Sequence, residues 1–433
     1  MKQQMRSIHS STRSCLAIVC LLAILLAHAS PAAAQDAKSA DWPQFLGPKR
    51  TGVSSDTGLI DAWPEKGPRE VWRSKGGVGM SGLAVSAGRV ITLVQDDEGQ
   101  HALALEAATG KQLWKTKVAP AYKNSQGDGP RATPAIADGR AFVFTGNGML
   151  AALKADTGDL IWKHDTIAEF KGEIADFGMA CSPLVVEGRV IVTVGAPGAT
   201  VVAFDCDSGN FAWKTGNAKA GYSSPALLKV GGEEQLVVFT GETLWGIQPK
   251  SGSVLWSYPY KTPFDCNIAT PIQYKDHIFI SSGEDHGCAL LSFADPASDG
   301  IIVVSEVWKS QGASSVMRNG WQTSLLIDGR LYGMDNVGAA TSLTHFNCVD
   351  MATGKLIWQH KRFGNGNFIA ADGKLILTTI KGELVLAKVS PQGFDELGRM
   401  KVLTSMKQGP ALAGGLLYVR DDREIVCFDL RAK

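Results

Sequence analysis

The chain has 433 residues, 45% of them apolar and 20% charged, with 48 glycines and a formal charge of +1. That composition leaves ample apolar material for a packed core and excludes a disordered polyelectrolyte. The near-neutral charge also excludes the basic footprint of a nucleic-acid binder.

Lys2, Arg6 and Arg13 open the chain, followed by an apolar run from Cys15 to Ala27 and the small residues Ala32, Ala33 and Ala34, with no acidic residue before Asp36. The run falls short of the roughly 17–25 residues that cross a bilayer, so residues 1–34 read as a signal peptide cut near Ala34, with an uncleaved anchor as the alternative. Cys20 follows Val19 rather than a small residue, which speaks against a lipid-modified cysteine. Cleavage leaves 40 Lys and Arg against 42 Asp and Glu, a formal charge of −2. The mature chain has no second long apolar segment. It is expected in the periplasm or outside the cell, without a transmembrane helix and as a monomer.

Residues 35–70 read as an N-terminal arm and 71–433 as a repeat domain. Two signals alternate along the latter. One is a short apolar strand, a two-residue turn and a second apolar strand, as in TPAIADGRAFVF (Thr133–Phe144), SPLVVEGRVIVTV (Ser182–Val194) and TSLLIDGRLYGM (Thr323–Met334). Asp-Gly between apolar runs marks a β-hairpin. Weaker copies start near Leu83, Ser224, Thr270, Phe368 and Pro410, which makes eight copies spaced 42 to 53 residues apart. The other signal is an 11-residue unit with Gly four residues before Trp: ALEAATGKQLW, ALKADTGDLIW, AFDCDSGNFAW, GIQPKSGSVLW and CVDMATGKLIW, ending at Trp114, Trp162, Trp213, Trp256 and Trp358.

Each period thus holds about four strands, and four-stranded units repeated radially make a β-propeller. The expected fold is all-β, with eight four-stranded antiparallel blades. Stacked blades bury each other's faces, and the recurring Trp supplies a large apolar wedge between them. The eighth unit stops at Lys433 before any Thr-Gly turn or Trp. Its missing outer strand is available around Trp72, and pairing there closes the ring and removes the exposed edges. Blade five carries the insertion DPASDGIIVVSEVW, so Trp308 arrives late; blade seven has Gly393 in register but no Trp, leaving Leu397 or Leu403 to fill the place. Six cysteines remain after cleavage: Cys181, Cys206, Cys266, Cys288, Cys348 and Cys427. None are adjacent or in CxxC spacing. An exported protein permits disulfides, and six cysteines allow 15 connectivities. Several sit where sister repeats carry Ala, which favours small buried side chains instead.

The 11-residue unit resembles the tryptophan-docking motif of the pyrroloquinoline quinone (PQQ) propellers, AxDxxTGxxxW, and the resemblance covers essentially the whole chain after residue 70. The stretches DWPQFLGPKRTGVS (Asp41–Ser54) and GDGPRATPAI (Gly127–Ile136) are similar to those of exported bacterial PQQ-like propellers. The resemblance implies one of two activities. Some relatives are PQQ-dependent alcohol dehydrogenases, in which the quinone and Ca²⁺ sit over the channel. Others are non-catalytic scaffolds, such as the propeller of the outer-membrane barrel-assembly machinery. The dehydrogenases carry adjacent cysteines forming a disulfide against the quinone; this sequence has no such pair and little chain beyond its blades for loops that wall a site.

A ligand site, if the propeller has one, belongs at the channel mouth, where loops enter the innermost strands. Those loops hold Asp128, Arg131, Asp176, Tyr222, Asp265, Asn267, Arg318, Asn319, Trp321, Asn365 and Asn367. Arg131 and Arg318 suit bidentate carboxylate pairing and Trp321 suits stacking on a planar ligand; the plainer alternative is a solvated polar rim. His101, His164, His277, His286, His345 and His360 show no metal-ligand spacing and read as surface or turn residues, and Glu284-Asp285-His286 reads as a strand-end polar turn, with a cation site as the alternative. No GxSxG, P-loop or HExxH occurs. The expected function is that of an exported non-catalytic module binding an envelope protein partner or small ligand. The alternative is a PQQ- and Ca²⁺-dependent oxidoreductase acting on an alcohol or sugar.

Overall fold

The structure is a computed structural model that describes residues 41–294, 302–338 and 343–432. The expected signal peptide (1–34) and the first part of the blade-five insertion (295–301) lie outside the described residues. Within them the chain forms eight four-stranded antiparallel sheets. Blade 1 is Ala84–Ser86, Arg89–Asp96, Gly99–Glu106 and Gln112–Ala119, paired in chain order. Blades 2 to 7 repeat this plan over 135–165, 184–215, 226–259, 272–311, 325–360 and 366–401. The short first strands of neighbouring blades lie against one another, so they are the innermost. They turn into the second strands through tight hairpins whose two central residues both have positive φ, as at Asp138 (48°) and Gly139 (72°). This is the backbone twist that matches paired strands and that Asp-Gly tolerates best.

Blade 8 closes the ring as expected. Ala411–Ala413, Leu416–Arg420 and Glu424–Asp429 come from the end of the chain, and Arg69–Lys75 adds the outer strand. Trp72 faces Cys427 in that ladder, and Arg73 bridges Glu424 at 2.8 Å.

The recurring tryptophans join blade to blade. The indole N–H of Trp72 donates to the Ala107 carbonyl of blade 1 at 2.9 Å. Trp114, Trp162 and Trp213 donate likewise to Ala155, Cys206 and Pro249 of the following blade, and Trp308 and Trp358 to Met351 and Ser390. Each of the first four rings, and Trp308, covers the Thr/Ser-Gly turn of the next blade. At Gly110 an added Cβ would meet the Trp72 ring at 2.5 Å, so this glycine is required by close approach as well as by its φ of 71°. Trp256 departs from the rule because the blade after it lacks a Thr-Gly turn. Its N–H turns back to Gln235 Oε1 of its own blade at 2.7 Å.

Blade 7 obtains its wedge from outside the repeat. Leu403 is buried and Leu397 half-buried, as the register implies. The ring beside them is Trp63 of the N-terminal arm: its N–H groups reach Leu397 O at 3.2 Å and Leu384 O at 3.3 Å, and its ring lies over Gly398. The same arm crosses the end of the channel where the first and second strands turn. Trp42 exchanges backbone hydrogen bonds with Val85 of blade 1, Pro43 accepts from Ile136 of blade 2, and Gly52 and Ser54 pair with Ala370 of blade 7. Arg50 reaches in to blades 3 and 4, donating to the carbonyls of Ser182 (3.2 Å), Pro183 (2.5 Å) and Pro225. Burial lowers its pKa to about 10, so it stays charged at neutral pH.

All six cysteines are free and buried. Burial pushes the Cys181 and Cys348 thiols up to about 11 and the Cys206, Cys266, Cys288 and Cys427 thiols up to about 12.

Trp63→Ala is expected to destabilise the propeller by about 2–3 kcal/mol, less than full burial would cost because the ring is only half-buried; the shift in the denaturant midpoint measures it. Because the thiolate is the reactive form and every shift here is upward, these six thiols should ignore a disulfide reagent at pH 8. They should react stoichiometrically once guanidinium unfolds the chain, and fast labelling of the native protein would contradict the burial.

Candidate functional site at the channel mouth

At the end of the channel away from the arm, the loops entering the innermost strands form the mouth. Arg318 is the most constrained side chain there, with Asp335 beside it; both are buried. The guanidinium takes the carboxylate in a fork, Nε to Oδ1 at 2.7 Å and Nη2 to Oδ2 at 2.8 Å. Its remaining Nη1 donates to the carbonyls of Gly312 (3.3 Å) and Ala313 (3.0 Å) and to Asp285 Oδ1 at 3.4 Å. Hydrogen bonding to Asp335 raises the arginine's pKa further. The expected pairing of Arg318 with a carboxylate is present, but the carboxylate belongs to the protein.

Arg131 is committed in the same way. Nε donates to Phe177 O at 2.6 Å, Nη2 to Gly127 O at 2.7 Å and Nη1 to Gly129 O, while the guanidinium lies 4.8 Å from the Tyr122 ring centre. Arg131 and Arg318 sit before blades 2 and 6, four blades apart, so the structure does not bring them together. Both guanidinium groups are engaged by acceptors of the protein itself.

The amides follow suit. Asn267 is fully buried; its Nδ2 donates to Thr240, Gly241 and Tyr260 carbonyls while its Oδ1 accepts from Ser282 at 2.5 Å. Asn319 donates to Met334 O and accepts from Ser324, both at 3.0 Å. Asn365 accepts from Asn336 and Thr344, and Asn367 donates to Lys407 O at 2.9 Å. Asp128 accepts the Asn124 N–H at 3.0 Å, and the Tyr222 hydroxyl accepts from Phe177 N at 3.2 Å. These residues set the shape of the loops.

What faces solvent is a different set. Trp321 is 42% exposed and Phe264, which the sequence reading missed, 63%. Around the second stand carboxylates: Asp176, Asp265 and Glu284 all act on the buried Cys266 thiol and help to raise its pKa. Lys219 approaches Asp265 at 3.6 Å. Phe264, Asp265, Glu284 and Asp285 all have positive φ, between 52° and 58°. Such backbone is costly for Phe264 and Glu284, whereas Asp tolerates it. Glu284 and Asp285 do form the polar turn expected of them.

The donor set does not fit a PQQ–calcium centre. Calcium takes six to eight oxygens, yet among the described residues the one group of three converging carboxylate, imidazole or thiol ligands lies elsewhere, in blade 1. The asparagines are turned inward, and no two cysteines are adjacent.

Repeat and ring together define an eight-bladed propeller of PQQ-like quinoprotein repeats. Within that class residues 98–360 match the family described as outer membrane protein assembly factor BamB, and the chain belongs to that family. It is 23% identical over 354 residues to BamB of Yersinia pestis, covering 79% of this chain and 85% of that one. It is also 31% identical over 167 residues to the quinohemoprotein alcohol dehydrogenase ADH IIB of Pseudomonas putida, covering 36% of this chain but only 22% of the dehydrogenase. Among solved structures, BamB of Moraxella catarrhalis superposes with a TM-score of 0.56 at 13% identity over 83% of this chain and all of that one. The quinohemoprotein alcohol dehydrogenase of Comamonas testosteroni gives 0.64 at 14% over 91% of this chain and 81% of that one. At such identities the superpositions establish the fold alone.

Asp335→Asn leaves the buried Arg318 charge only the more distant, exposed Asp285 as counter-ion and is expected to destabilise the protein by about 2–4 kcal/mol, somewhat less than the loss of a sole partner. Trp321→Ala should change stability by no more than about 0.5 kcal/mol. Thermal unfolding of the two variants beside the parent separates a structural arginine from an exposed contact residue.

Proposed function

We propose that this chain is exported, with residues 1–34 removed near Ala34. Residues 35–70 then serve as an arm and 71–433 as the propeller, which works in the cell envelope as a non-catalytic scaffold. Its mouth holds a protein partner of the outer-membrane assembly machinery. One observation carries the reading: the mouth's polar groups, Arg318 foremost, are saturated from within, while Trp321 and Phe264 are left exposed among carboxylates. Exposed aromatic side chains with a polar surround are the usual anchors of protein interfaces. The family membership supports the same role, and no helix among the described residues is long and apolar enough to cross a membrane. The site we assign is therefore Trp321 and Phe264 as anchors with Asp176, Asp265 and Glu284 as rim; Asp128, Arg131, Asn267, Arg318, Asn319 and Asn367 shape it from beneath.

The dehydrogenase reading draws on the shared repeat and the 31% identity to one quinohemoprotein over part of its length. Against it stands a mouth whose arginines and amides are already engaged by internal acceptors.

The tagged mature protein is to be mixed with detergent-solubilised outer membranes from its host. Barrel-assembly proteins should be retained by the parent and lost, by about 30-fold or more in affinity, from a Phe264→Ala/Trp321→Ala double variant. Addition of PQQ and Ca²⁺ should yield no dye reduction with alcohols or sugars. Quinone-dependent turnover, or unchanged retention by the double variant, would overturn the proposal.

A further inference from the structure

Blade 1 carries a cluster that the spacing of histidines along the sequence did not reveal. Its second and third strands are joined by a tight turn at Asp97 and Glu98, with Asp96 opposite Gly99 and Val94 opposite His101. Alternation along paired strands puts the side chains of Asp96 and His101 on one face of the hairpin. There, one ligand atom each from Asp96, Glu98 and His101 lies within 4.8 Å of the other two. Contrary to its reading as a surface or turn residue, His101 is only 4% exposed.

We propose that Asp96, Glu98 and His101 form a binding site for a divalent transition-metal ion of the zinc, cobalt or nickel class. The decisive feature is the imidazole. Its Nδ1 is buried and makes no hydrogen bond, although it faces Asp96 Oδ1 at 3.5 Å. Buried polar atoms of folded proteins are almost always satisfied, and an orphan calls for an explanation such as an ion. A neutral imidazole nitrogen between two carboxylates is a ligand set for zinc and its neighbours, whereas calcium and magnesium favour oxygen alone. Asp96 is already held in place, its Oδ1 accepting the Glu98 N–H at 3.0 Å. Ligand atoms around one zinc ion sit no more than about 4.4 Å apart. The exposed Glu98 side chain closes the remaining gap by rotating.

Lys115 takes the place of the cation when no metal is bound. Its Nζ pairs with Asp96 Oδ2. An exposed Lys–Asp pair explains the conformation of Asp96 but leaves the buried His101 Nδ1 without a hydrogen bond, 3.5 Å from Asp96 Oδ1. The hairpin also carries Gln95, whose side chain accepts from Tyr122 N at 2.6 Å and whose backbone exchanges hydrogen bonds with Val78. A bound ion thus fixes a hairpin that buttresses two mouth loops.

The test is calorimetric titration of tag-free, chelator-treated mature protein with ZnCl₂, repeated with CoCl₂ for its visible absorption. One site per chain is expected. Glu98→Gln and Asp96→Asn, both exposed positions, should each weaken binding at least tenfold, and Lys115→Met should tighten it severalfold by removing the competing charge. His101→Gln should abolish the cobalt spectrum. Absence of a binding isotherm, or binding equally strong in Glu98→Gln and Asp96→Asn, would overturn the proposal, as would a Lys115→Met variant that binds no better than the parent.

Discussion

A four-stranded sheet with two apolar faces cannot stand alone in water, and in this chain the last sheet cannot even be assembled without residues from the far end. Arg69–Lys75 is about 350 positions away from Glu424–Asp429, yet the two pair over the full length of the strand. The entropy of closing so long a loop rises only with the logarithm of its length, and the gain is burial of the interfaces on both sides of blade 8. The largest apolar cluster of the protein lies there. It gathers Trp72, Tyr418 and Phe428 of blade 8 with Leu103 and Leu105 of blade 1 and Ile376 and Leu386 of blade 7. Every other interface depends on this closure, because a ring open at one point exposes two sheet faces and loses the geometry of both channel ends.

The N-terminal arm makes the closure more than a borrowed strand. Before reaching blade 8 it has already touched blades 1, 2, 3, 4 and 7 and placed Trp63 where the seventh repeat lacks an indole. A repeat that lost its wedge is thereby repaired from outside the repeat. Arg50 is the most demanding part of the arm, a charge buried without a carboxylate partner and held by three main-chain carbonyls and the Gln44 side-chain oxygen. Such an arrangement is tolerable because each carbonyl contributes a strong, charge-assisted hydrogen bond.

Apart from blade 7, whose missing wedge the arm replaces, departures from the repeat gather at blades 4 and 5. Blade 5 has lost the Thr-Gly turn, Trp256 of blade 4 has consequently turned back on itself, and the loop and hairpin at blade 5 carry the strained residues Phe264, Asp265, Glu284 and Asp285. Regular blades supply a rigid frame on which one irregular sector varies. In such a division the frame is set by wedge and turn, and the mouth side chains not spent on the frame remain available for binding. Here Arg131, Arg318, Asn267 and Asn319 are spent, leaving aromatic and acidic surface.

The sequence by itself determined the number of blades, the strands within them, the tryptophan wedges and the place where the ring closes. Strand alternation, positive-φ turns and a fixed Gly-to-Trp distance are local properties, written within about a dozen residues. Only the tertiary structure decided which polar side chains remain available. Arg318 finds Asp335 seventeen positions away, Arg131 finds Phe177 forty-six away, and His101 comes to face Asp96 through a diagonal of the ladder. Hydrogen-bond satisfaction is settled by whichever groups folding brings together, and no local pattern of residues carries that information.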